Sequence, residues 1–458
     1  MENVLQEFDI IVIGGGPAGY HFANLSAKNG FSVALFEEKN LGGTCLNEGC
    51  IPSKALLKSA KIADGMAHSE YYGINVGNYA VNQPAIIARK NEIVSKLVMG
   101  VRGGLRKNKV KLFFTHADII KKENGLFYVN SNEKLCACKK LVIATGSKVF
   151  IPQIEGVVNG LESGFVLTSK EMLDLNEIPS SLLIIGGGII GLEMASYFAS
   201  VGSKVTIVEA SHKICGSLDS EISTLLMRNL TKKGISFILN AKVSSLLNNS
   251  VSYLQDGVTY NLNCDKVLLS VGRVANVTGF GLENLGINFT NKGIFVNENM
   301  QTSDGDVYAI GDVNGKVMLA HTAYREAEVC FNHIINNNDY LDYKTIPSVL
   351  YTSPECAWVG INEDDINNNL LDITVKKLPM IYSGRFVAES CEIDGLCKIF
   401  IDKKSNTIAG CAILADGASE LIVAISNMII MQTPIDKINS LIFPHPTVGE
   451  IIKDVLNS

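Results

Sequence analysis

The sequence lacks the features that mark membrane, secreted and nucleic-acid-binding proteins. No basic tract interrupts its 458 residues, and a net charge of −6 argues against a polyanion-binding protein. Its most apolar uncharged stretches, 178–192 and 421–435, are shorter than a membrane span. The N-terminus has no positively charged start of the kind that opens a secretory signal. The sequence therefore predicts a soluble, cytoplasmic protein without nucleic-acid or membrane partners.

Charged residues are also scarce, at 19%, whereas hydrophobic residues reach 47%. This balance excludes a disordered chain, a collagen and a coiled coil, and the length indicates about three domains. The eleven cysteines are odd in number and widely spread, which argues against a secreted disulfide framework. Most of them are predicted to be buried, idle thiols. The close pair Cys45 and Cys50 needs a separate explanation.

One pattern occurs twice, namely a short apolar strand, glycines in GxGxxG spacing, a helical stretch and a second strand that ends in an acid. The first copy follows strand 9–13 and comprises Gly14, Gly16, Gly19 and Glu37; the second follows strand 182–185 and comprises Gly186, Gly188, Gly191 and Glu209. In both copies the acid lies 23 residues after the first glycine. The repetition indicates two dinucleotide-binding domains, because a lone GxGxxG is weak evidence but a matched pair is strong.

Each position in this pattern has a physical reason. The first glycine permits a tight turn, the second lets the backbone approach a pyrophosphate, and the third lets helix pack on strand. The helix N-terminus offers N–H groups to the phosphates. The acid accepts hydrogen bonds from ribose hydroxyls and repels a 2′-phosphate, so Glu209 favours NAD over NADP. The rival interpretation, a plain strand-to-helix turn, applies to either copy taken alone.

The sequence divides into four segments. We expect one dinucleotide-binding domain in 1–150, a second in 151–272, a return to the first in 273–345, and a C-terminal domain in 346–458. The last segment combines strand-like runs with an apolar helix from Ala418, which predicts an α+β domain. The predicted fold class is therefore α/β, with two Rossmann-like domains and a C-terminal α+β domain.

The segment CLNEGC carries the most specific chemistry. Pro52 marks the opening of a helix, and a cysteine at a helix N-terminus has its thiolate stabilised. Cys45 and Cys50 therefore predict a reversible dithiol–disulfide pair. A zinc site is the rival use, but it needs two further ligands at matching spacing, so no metal is predicted. Lys54, one turn beyond Cys50, is either a surface lysine or a partner for a flavin ring.

Two other positions are candidates for chemistry. In FPHPTVGE, His445 stands between prolines that fix its backbone, and Glu450 follows five residues later. An acid bonded to one ring nitrogen orients the imidazole and raises its basicity, so the two residues form a candidate base and orienting acid. Asp312 follows a strand and is placed to accept from a sugar-like cofactor chain, although an ordinary turn aspartate explains it equally well.

These residues together identify a resemblance. The stretches LGGTCLNEGCIPSKALL, ATGS, GGGIIGLE, VGR, AIGDV, LAH, YTSPECAWVG and HPTVGE run from end to end of the chain and resemble the flavoprotein disulfide reductases, most closely the dihydrolipoamide dehydrogenases. The redox motif is the most specific of them. The resemblance implies FAD in the first domain, NAD in the second and a C-terminal dimer interface.

The resemblance also implies a role for each matching residue. Cys45 meets the substrate's sulfur, and Cys50 lies against the flavin as the charge-transfer thiolate. Lys54 pairs with Glu193 beside the reactive flavin nitrogen, and His445, held by Glu450, reaches across from the other subunit as the base. The cofactor-binding candidates are Gly14, Gly16, Gly19, Glu37, Gly43, Thr44, Lys54, Ala117, Thr145, Gly146, Asp312, Ala320, Gly186, Gly188, Gly191, Glu209, Val243 and Gly272. Pro446 is expected to follow a cis peptide bond.

The implied activity is oxidation of dihydrolipoyl groups on another chain, with NAD reduced to NADH, by a homodimer that serves a 2-oxo acid dehydrogenase or glycine cleavage complex. A relative that acts on another small disulfide, a transhydrogenase-like flavoprotein and a scaffold within such a complex remain open alternatives. Glu48 replaces a usually uncharged residue between the cysteines, and we hypothesise that its charge raises the thiolate pKa. Ala117 replaces a frequent glycine near the adenine end of FAD.

Overall fold

The computed structural model describes residues 5–131, 134–247, 249–369, 372–391 and 394–458. These residues form two compact units. Unit one takes its described residues from Met1–Pro52, Ala88–Phe150 and Gly272–Leu341. Unit two takes its described residues from Ser53–Ile87, Ile151–Val271 and Asp342–Ser458.

The bounds of the regular elements are as follows. The strands are β1 Gln6–Ile13, β2 Val33–Phe36, β3 Lys111–Phe113, β4 Asp118–Glu123, β5 Leu126–Ser131, β6 Lys134–Ile143, β7 Ser147–Val149, β8 Val166–Leu167, β9 Ser181–Ile185, β10 Lys204–Val208, β11 Ser236–Ile238, β12 Ala241–Leu247, β13 Ser250–Gln255, β14 Val258–Asn263, β15 Lys266–Leu269, β16 Arg273–Ala275, β17 Phe289–Thr290, β18 Gly293–Ile294, β19 Val307–Ala309, β20 Ser348–Leu350, β21 Cys356–Gly360, β22 Ile373–Pro379, β23 Leu396–Asp402 and β24 Thr407–Leu414. The helices are α1 Pro17–Lys28, α2 Gly43–Glu48, α3 Cys50–Ala67, α4 Gln83–Lys107, α5 Val157–Ser163, α6 Ser169–Met172, α7 Ile189–Ser200, α8 Ser220–Lys232, α9 Ala320–Ile334, α10 Glu363–Asn369, α11 Gly384–Glu389, α12 Ala418–Ile430, α13 Ile435–Asn439 and α14 Glu450–Asn457.

Unit one is built on a mixed sheet in the order β3-β2-β1-β6-β5-β4, with β19 also beside β6. β1 runs parallel to β2 and to β6, and its residues Ile10–Ile13 pair with Val33–Phe36. Ile10, Ile11 and Val12 are completely buried, as expected for a parallel strand that is covered on both faces. The crossover through α1 places the first glycine loop at the carboxyl end of β1, where ligands bind in open α/β sheets.

Unit two contains a parallel sheet in the order β11-β10-β9-β15-β8 and an antiparallel sheet in the order β20-β21-β24-β23-β22. The parallel sheet repeats the local plan of unit one, because β9 and β10 pair in register and α7 joins them. The antiparallel sheet packs against α12, α13 and α14. The predicted α/β class, with two Rossmann-like domains and an α+β C-terminal region, is confirmed. None of the helices in the described ranges is long and apolar enough to cross a membrane.

A buried ion cluster stabilises unit two. Lys398 on β23 is completely buried, and its Nζ lies 3.1 Å from Asp219 Oδ2, 3.1 Å from Glu221 Oε2 and 3.0 Å from Glu363 Oε1. Asp219 also caps α8, since its Oδ1 accepts from two backbone N–H groups at the start of that helix. Burial alone lowers the pKa of Lys398, but the three carboxylates outweigh it and raise the pKa.

We therefore expect Lys398→Met to destabilise the protein by about 3–5 kcal/mol, because it leaves the buried Asp219 carboxylate without its cation. Lys377→Met is the matched control. Lys377 also bonds Glu221 but is half exposed, so its loss is expected to cost less than about 1 kcal/mol. Urea unfolding followed by circular dichroism measures both changes, and equal losses would contradict the expectation.

Candidate active site

Cys45 and Cys50 form a disulfide in unit one, with their Cα atoms 4.7 Å apart. Cys45 lies in the short helix α2, and Cys50 is the first residue of α3. The Asn47 side-chain amide donates to the carbonyl oxygens of Leu41 (3.0 Å) and Gly43 (2.9 Å), which ties the preceding loop to α2. Because N–H groups and the positive end of the helix dipole gather at the start of α3, a thiolate at Cys50 is stabilised there.

The other nine cysteines are free thiols, and eight of them are buried. Burial raises the pKa of Cys138 and of Cys215 to about 12 and that of Cys264 to about 11. Such thiols are protonated at neutral pH and therefore inert. Cys391 is the half-buried member of the set. The predicted burial of most thiols other than the Cys45–Cys50 pair is confirmed.

The first and third glycines of each loop are required by the protein itself. Gly14 has φ +106°, and a Cβ there would lie 2.2 Å from the carbonyl oxygen of Ala144. Gly186 has φ +104°, and its Cβ would lie 2.5 Å from the carbonyl oxygen of Ser270. Side chains at the third positions would collide with the loops' own backbone; these positions are Gly19 and Gly191.

The second glycine of each loop is different, because no neighbour among the described residues requires a glycine there. A Cβ on Gly16 would meet its nearest neighbour, the Gly43 Cα, at 3.9 Å, and a Cβ on Gly188 would meet nothing within 4 Å. Both residues cap their helices in extended conformations that alanine also adopts, with φ −72° and −81°. The open space over Gly16 and Gly188 lies at a helix N-terminus, which fits a phosphate group. The residues present therefore fit dinucleotide cofactors in both loops.

The two acids occupy equivalent positions. Glu37 Oε2 accepts from the Gly15 N–H (2.7 Å), and Glu209 Oε2 accepts from the Gly187 N–H (2.6 Å). Burial raises the pKa of Glu37, although two backbone N–H donors oppose that shift. In both units, the carboxylate is thus fixed beside the glycine loop by the backbone, where it is placed for ribose hydroxyls.

Lys54 and Glu193 are brought together in unit two. Lys54 Nζ lies 3.0 Å from Glu193 Oε1 and 2.9 Å from Oε2. Glu193 is buried on α7, and the Lys54 side chain is about one-third exposed. Tyr351 joins the pair, because its N–H donates to Glu193 Oε1 (3.1 Å) and its ring lies under the Lys54 ammonium, 4.2 Å from nitrogen to centroid. Sequence reasoning missed Tyr351; the signal was its place in the YTSPE stretch.

His445 and Glu450 also lie together. His445 Nδ1 is 3.0 Å from Glu450 Oε1, and the second carboxylate oxygen accepts from the Thr447 N–H at 2.8 Å. The Thr447 N–H and then His445 lower the pKa of Glu450, so this carboxylate stays ionised at neutral pH. A neutral imidazole that donates from Nδ1 leaves Nε2 as the acceptor. The His445 side chain is 82% exposed, and the expected cis bond before Pro446 is present.

A partly buried hydrogen-bond network in unit one links several predicted residues. Arg273 donates to the Ser147 hydroxyl and carbonyl oxygens, both at 2.7 Å, and its Nη2 lies 3.4 Å from Thr44 Oγ1. The Ser147 hydroxyl donates to Asp312 Oδ2 at 2.5 Å. Burial lowers the pKa of Arg273, whereas the charges of Asp312 and Glu48 oppose the shift. The carboxylate of Glu48 therefore faces a cation. Sequence reasoning missed Arg273 and Ser147 as functional residues, although VGR and ATGS contain them.

The remaining predicted cofactor residues lie in or next to several different strands and helices. Thr145 Oγ1 donates to the Asn276 carbonyl oxygen (2.7 Å), and Gly146 has φ +71°. Ala117 is buried immediately before β4, and Ala320 is the first residue of α9. The others are Gly43 beside Gly16, Gly272 before β16, and Val243 on β12, whose side chain packs in the core.

Sequence comparison places this architecture in a known class. Residues 8–327 match the family model described as pyridine nucleotide-disulphide oxidoreductase, and residues 346–456 match the dimerisation domain of the same family. The chain therefore belongs to the pyridine nucleotide-disulphide oxidoreductases. The predicted family and enzyme class are confirmed. The dimerisation-domain match supports a homodimer, and that region exposes apolar residues such as Met431 (78%) and Ile442 (96%).

The chain is also similar to individual proteins of known name. The chain is 35% identical to a dihydrolipoyl dehydrogenase of Mycoplasma genitalium over 452 residues, covering 98% of each chain. It is 34% identical to a dihydrolipoyl dehydrogenase of Bacillus subtilis, covering 97% of this chain and 96% of the relative. Among solved structures, the HOCl-induced flavoprotein disulfide reductase RclA of Escherichia coli matches with a TM-score of 0.85 and 27% identity, covering 98% and 99% of the two chains.

Proposed function

We propose that this chain is a dihydrolipoyl dehydrogenase, which oxidises dihydrolipoyl groups to the lipoyl disulfide and reduces NAD to NADH. The observation that carries the proposal is the Cys45–Cys50 disulfide at the start of α3, in a chain with two open glycine loops. Relatives named for the same activity match along almost the whole length. The loop of Gly14 and Glu37 holds FAD, and the loop of Gly186 and Glu209 holds NAD.

The chemistry of the thiols follows from the protein's own residues. His445 Nε2, oriented by Glu450, accepts a proton from one dihydrolipoyl thiol. The resulting thiolate attacks Cys45 Sγ, the Cys45–Cys50 bond breaks, and Cys50 leaves as a thiolate. The second substrate thiol then loses its proton to solvent and its sulfur attacks the first, the lipoyl disulfide leaves, and Cys45 returns to a thiol with the proton from His445. The cysteine pair now holds two electrons. FAD, when bound, supplies the two-electron chemistry that passes them to NAD.

The partners follow from this assignment. The substrate is a dihydrolipoyl group carried on another chain, within a 2-oxo acid dehydrogenase or glycine cleavage complex. In the homodimer, His445 serves the redox pair of the other subunit. Location in the cytoplasm stays a prediction, and it agrees with the eight buried free thiols that a reducing compartment preserves.

The assay that tests the proposal follows NAD reduction by purified protein with dihydrolipoamide. Reduced glutathione replaces dihydrolipoamide in one control, and NADP replaces NAD in the other. Fast turnover with dihydrolipoamide and NAD alone is expected, because Glu209 disfavours a 2′-phosphate. A protein that passes electrons from NADH to a dye but ignores dihydrolipoamide would overturn the substrate assignment.

A second candidate is a reductase that works in the opposite direction on another acceptor. The likeness to RclA favours it, since one RclA structure, at 27% identity and a TM-score of 0.85, is described as a Cu(II) complex. An arm of the same assay with NADH as donor, and with Cu(II) or a small disulfide as acceptor, separates the two. Turnover faster than with dihydrolipoamide would favour the second candidate.

Substitutions in the glycine loops test the cofactor assignment. We expect Gly16→Ala to fold but lose FAD, because the new methyl group meets only open space in the protein and occupies the phosphate site. By the same reasoning, Gly188→Ala keeps FAD and weakens NAD binding by about tenfold or more. FAD absorbance after gel filtration and titration with NAD measure the two effects.

The matched control lies two residues earlier in each loop. Gly14→Ala and Gly186→Ala are expected to lower thermal stability as well, because both positions have positive φ and face a backbone oxygen. Undiminished binding of both cofactors in Gly16→Ala and Gly188→Ala would contradict the assignment of the loops.

A further inference from the structure

Tyr351 meets both members of the Lys54–Glu193 pair. It follows β20, and its N–H donates to Glu193 Oε1 at 3.1 Å. Its ring presents a face to the Lys54 ammonium, with 4.2 Å between Nζ and the ring centroid. The two contacts have different roles. The backbone N–H fixes the Glu193 carboxylate whatever side chain stands at position 351, whereas the ring acts on Lys54 alone.

The lysine needs such a contact more than the glutamate does. Glu193 is buried on α7 and receives hydrogen bonds from two directions. Lys54 carries its charge on a flexible four-carbon stem, and its side chain is about one-third exposed. A small cavity of about 170 Å³, lined in part by Lys54, Lys58, Ser196, Tyr351 and Thr352, lies beside it. Without the ring, the ammonium can turn into this cavity and exchange Glu193 for water.

The ring is suited to this task. An ammonium over a tyrosine face is attracted by the electron-rich ring, and this attraction is stronger when the ammonium is desolvated. Burial, and after it the charge of Glu193, raise the pKa of Tyr351, so its phenol stays neutral and its ring keeps an electron-rich face. The ring, rather than the hydroxyl, makes the contact with the lysine.

We propose that Tyr351 is a positioning residue, whose aromatic ring holds the Lys54 ammonium against Glu193 and fixes its positive charge at the flavin. The inference rests on the proposed function and on the family resemblance, which implies that Lys54 lies beside the reactive flavin nitrogen. Reduced FAD carries a negative charge that oxidised FAD lacks, so a fixed cation favours reduction. Loss of the ring therefore lowers the midpoint potential of bound FAD.

The test compares Tyr351→Leu with Tyr351→Phe in the holoenzyme. The midpoint potential of bound FAD is measured by equilibration with reference dyes, and enzyme turnover is not used. Tyr351→Leu is expected to reduce the ratio of reduced to oxidised FAD at a given potential by about threefold to tenfold, the latter equal to about 30 mV for a two-electron couple. Tyr351→Phe keeps the ring and is expected to restore the wild-type potential.

Two further variants provide a replacement for the leucine variant and a control for the loss of a buried ring. Tyr351→Met removes the ring but fills the space, and it replaces the leucine variant if that protein fails to bind FAD. Tyr253→Leu removes a buried ring in the same unit, where Tyr253 stacks on Tyr260 away from Lys54. This control is expected to lose stability without a change in potential. An unchanged potential in Tyr351→Leu and Tyr351→Met, or an equal fall in Tyr351→Phe, would overturn the inference.

Failure of the inference differs from failure of the proposed function. A wild-type protein that contains FAD but does not oxidise dihydrolipoamide would refute the substrate while leaving the FAD potential measurable. A fall in potential in the ringless variants then still supports the role of Tyr351. A wild-type protein that binds no FAD would refute both.

Discussion

Replacing Cys45 or Cys50 by serine is expected to abolish oxidation of dihydrolipoamide while FAD stays bound. The reaction requires a thiolate to attack a disulfide and a second thiolate to leave, and serine supports neither step. Transfer from NADH to a dye is expected to persist, because it bypasses the cysteine pair. The measurement compares NAD reduction by dihydrolipoamide with NADH-dependent dye reduction in each variant.

Cys391→Ser is the matched control, since Cys391 is a free thiol that is only half buried. Its loss is expected to leave both reactions unchanged. The two redox variants are also expected to differ from one another. Cys45→Ser keeps the thiolate assigned to the flavin and its long-wavelength absorbance, whereas Cys50→Ser lacks that absorbance. Dihydrolipoamide turnover in either redox variant would refute the assignment.

Replacing His445 by glutamine is expected to lower kcat/KM for dihydrolipoamide by about 10²-fold to 10⁴-fold, the range for loss of a positioned general base. NADH-dependent dye reduction is expected to stay unchanged, because it needs no deprotonated substrate thiol. Glu450→Gln is expected to cause a smaller loss, since the amide still accepts from Nδ1 at the 3.0 Å contact but carries no charge. His212→Gln replaces an exposed histidine and serves as the control.

The pH dependence of the same reaction distinguishes a base from a structural residue. The pKa of Glu450 is lowered, so this carboxylate remains charged at neutral pH. A general base must be unprotonated to accept a proton, so kcat/KM for dihydrolipoamide is expected to fall as pH decreases. His445→Gln is expected to lose this limb of the profile. Equal losses in the thiol and dye reactions would contradict the base role.

The glycine loops illustrate what local sequence can specify. The order of strand, glycines, helix and acid specifies a loop whose glycines and acid lie within 23 residues of one another. Each contact in this loop therefore joins residues that are close in the sequence. Glu37 on Gly15 and Glu209 on Gly187 confirm the pattern in both units. The Cys45–Cys50 pair is equally local, because the two cysteines are only five positions apart in the chain.

Residues that meet although they are far apart in the chain could not be paired from motif spacing alone. Lys54 and Glu193 stand 139 residues apart, and the sequence related them only through a family resemblance. Tyr351 lies in the YTSPECAWVG stretch, but no local pattern related it to Glu193, which is 158 residues away. Arg273, Ser147 and Asp312 form a network whose members come from three separate strands and turns.

The sequence by itself determined two dinucleotide-binding loops, one redox pair and a histidine with its orienting acid. Each of these depends on backbone geometry and on contacts between near neighbours in the chain. The tertiary structure decided which partner each cation meets, namely Asp219 for Lys398, Glu193 for Lys54 and the Ser147 hydroxyl for Arg273. The physical reason is that a buried charge is tolerated only where packing supplies its partner, and packing joins residues that no sequence period relates.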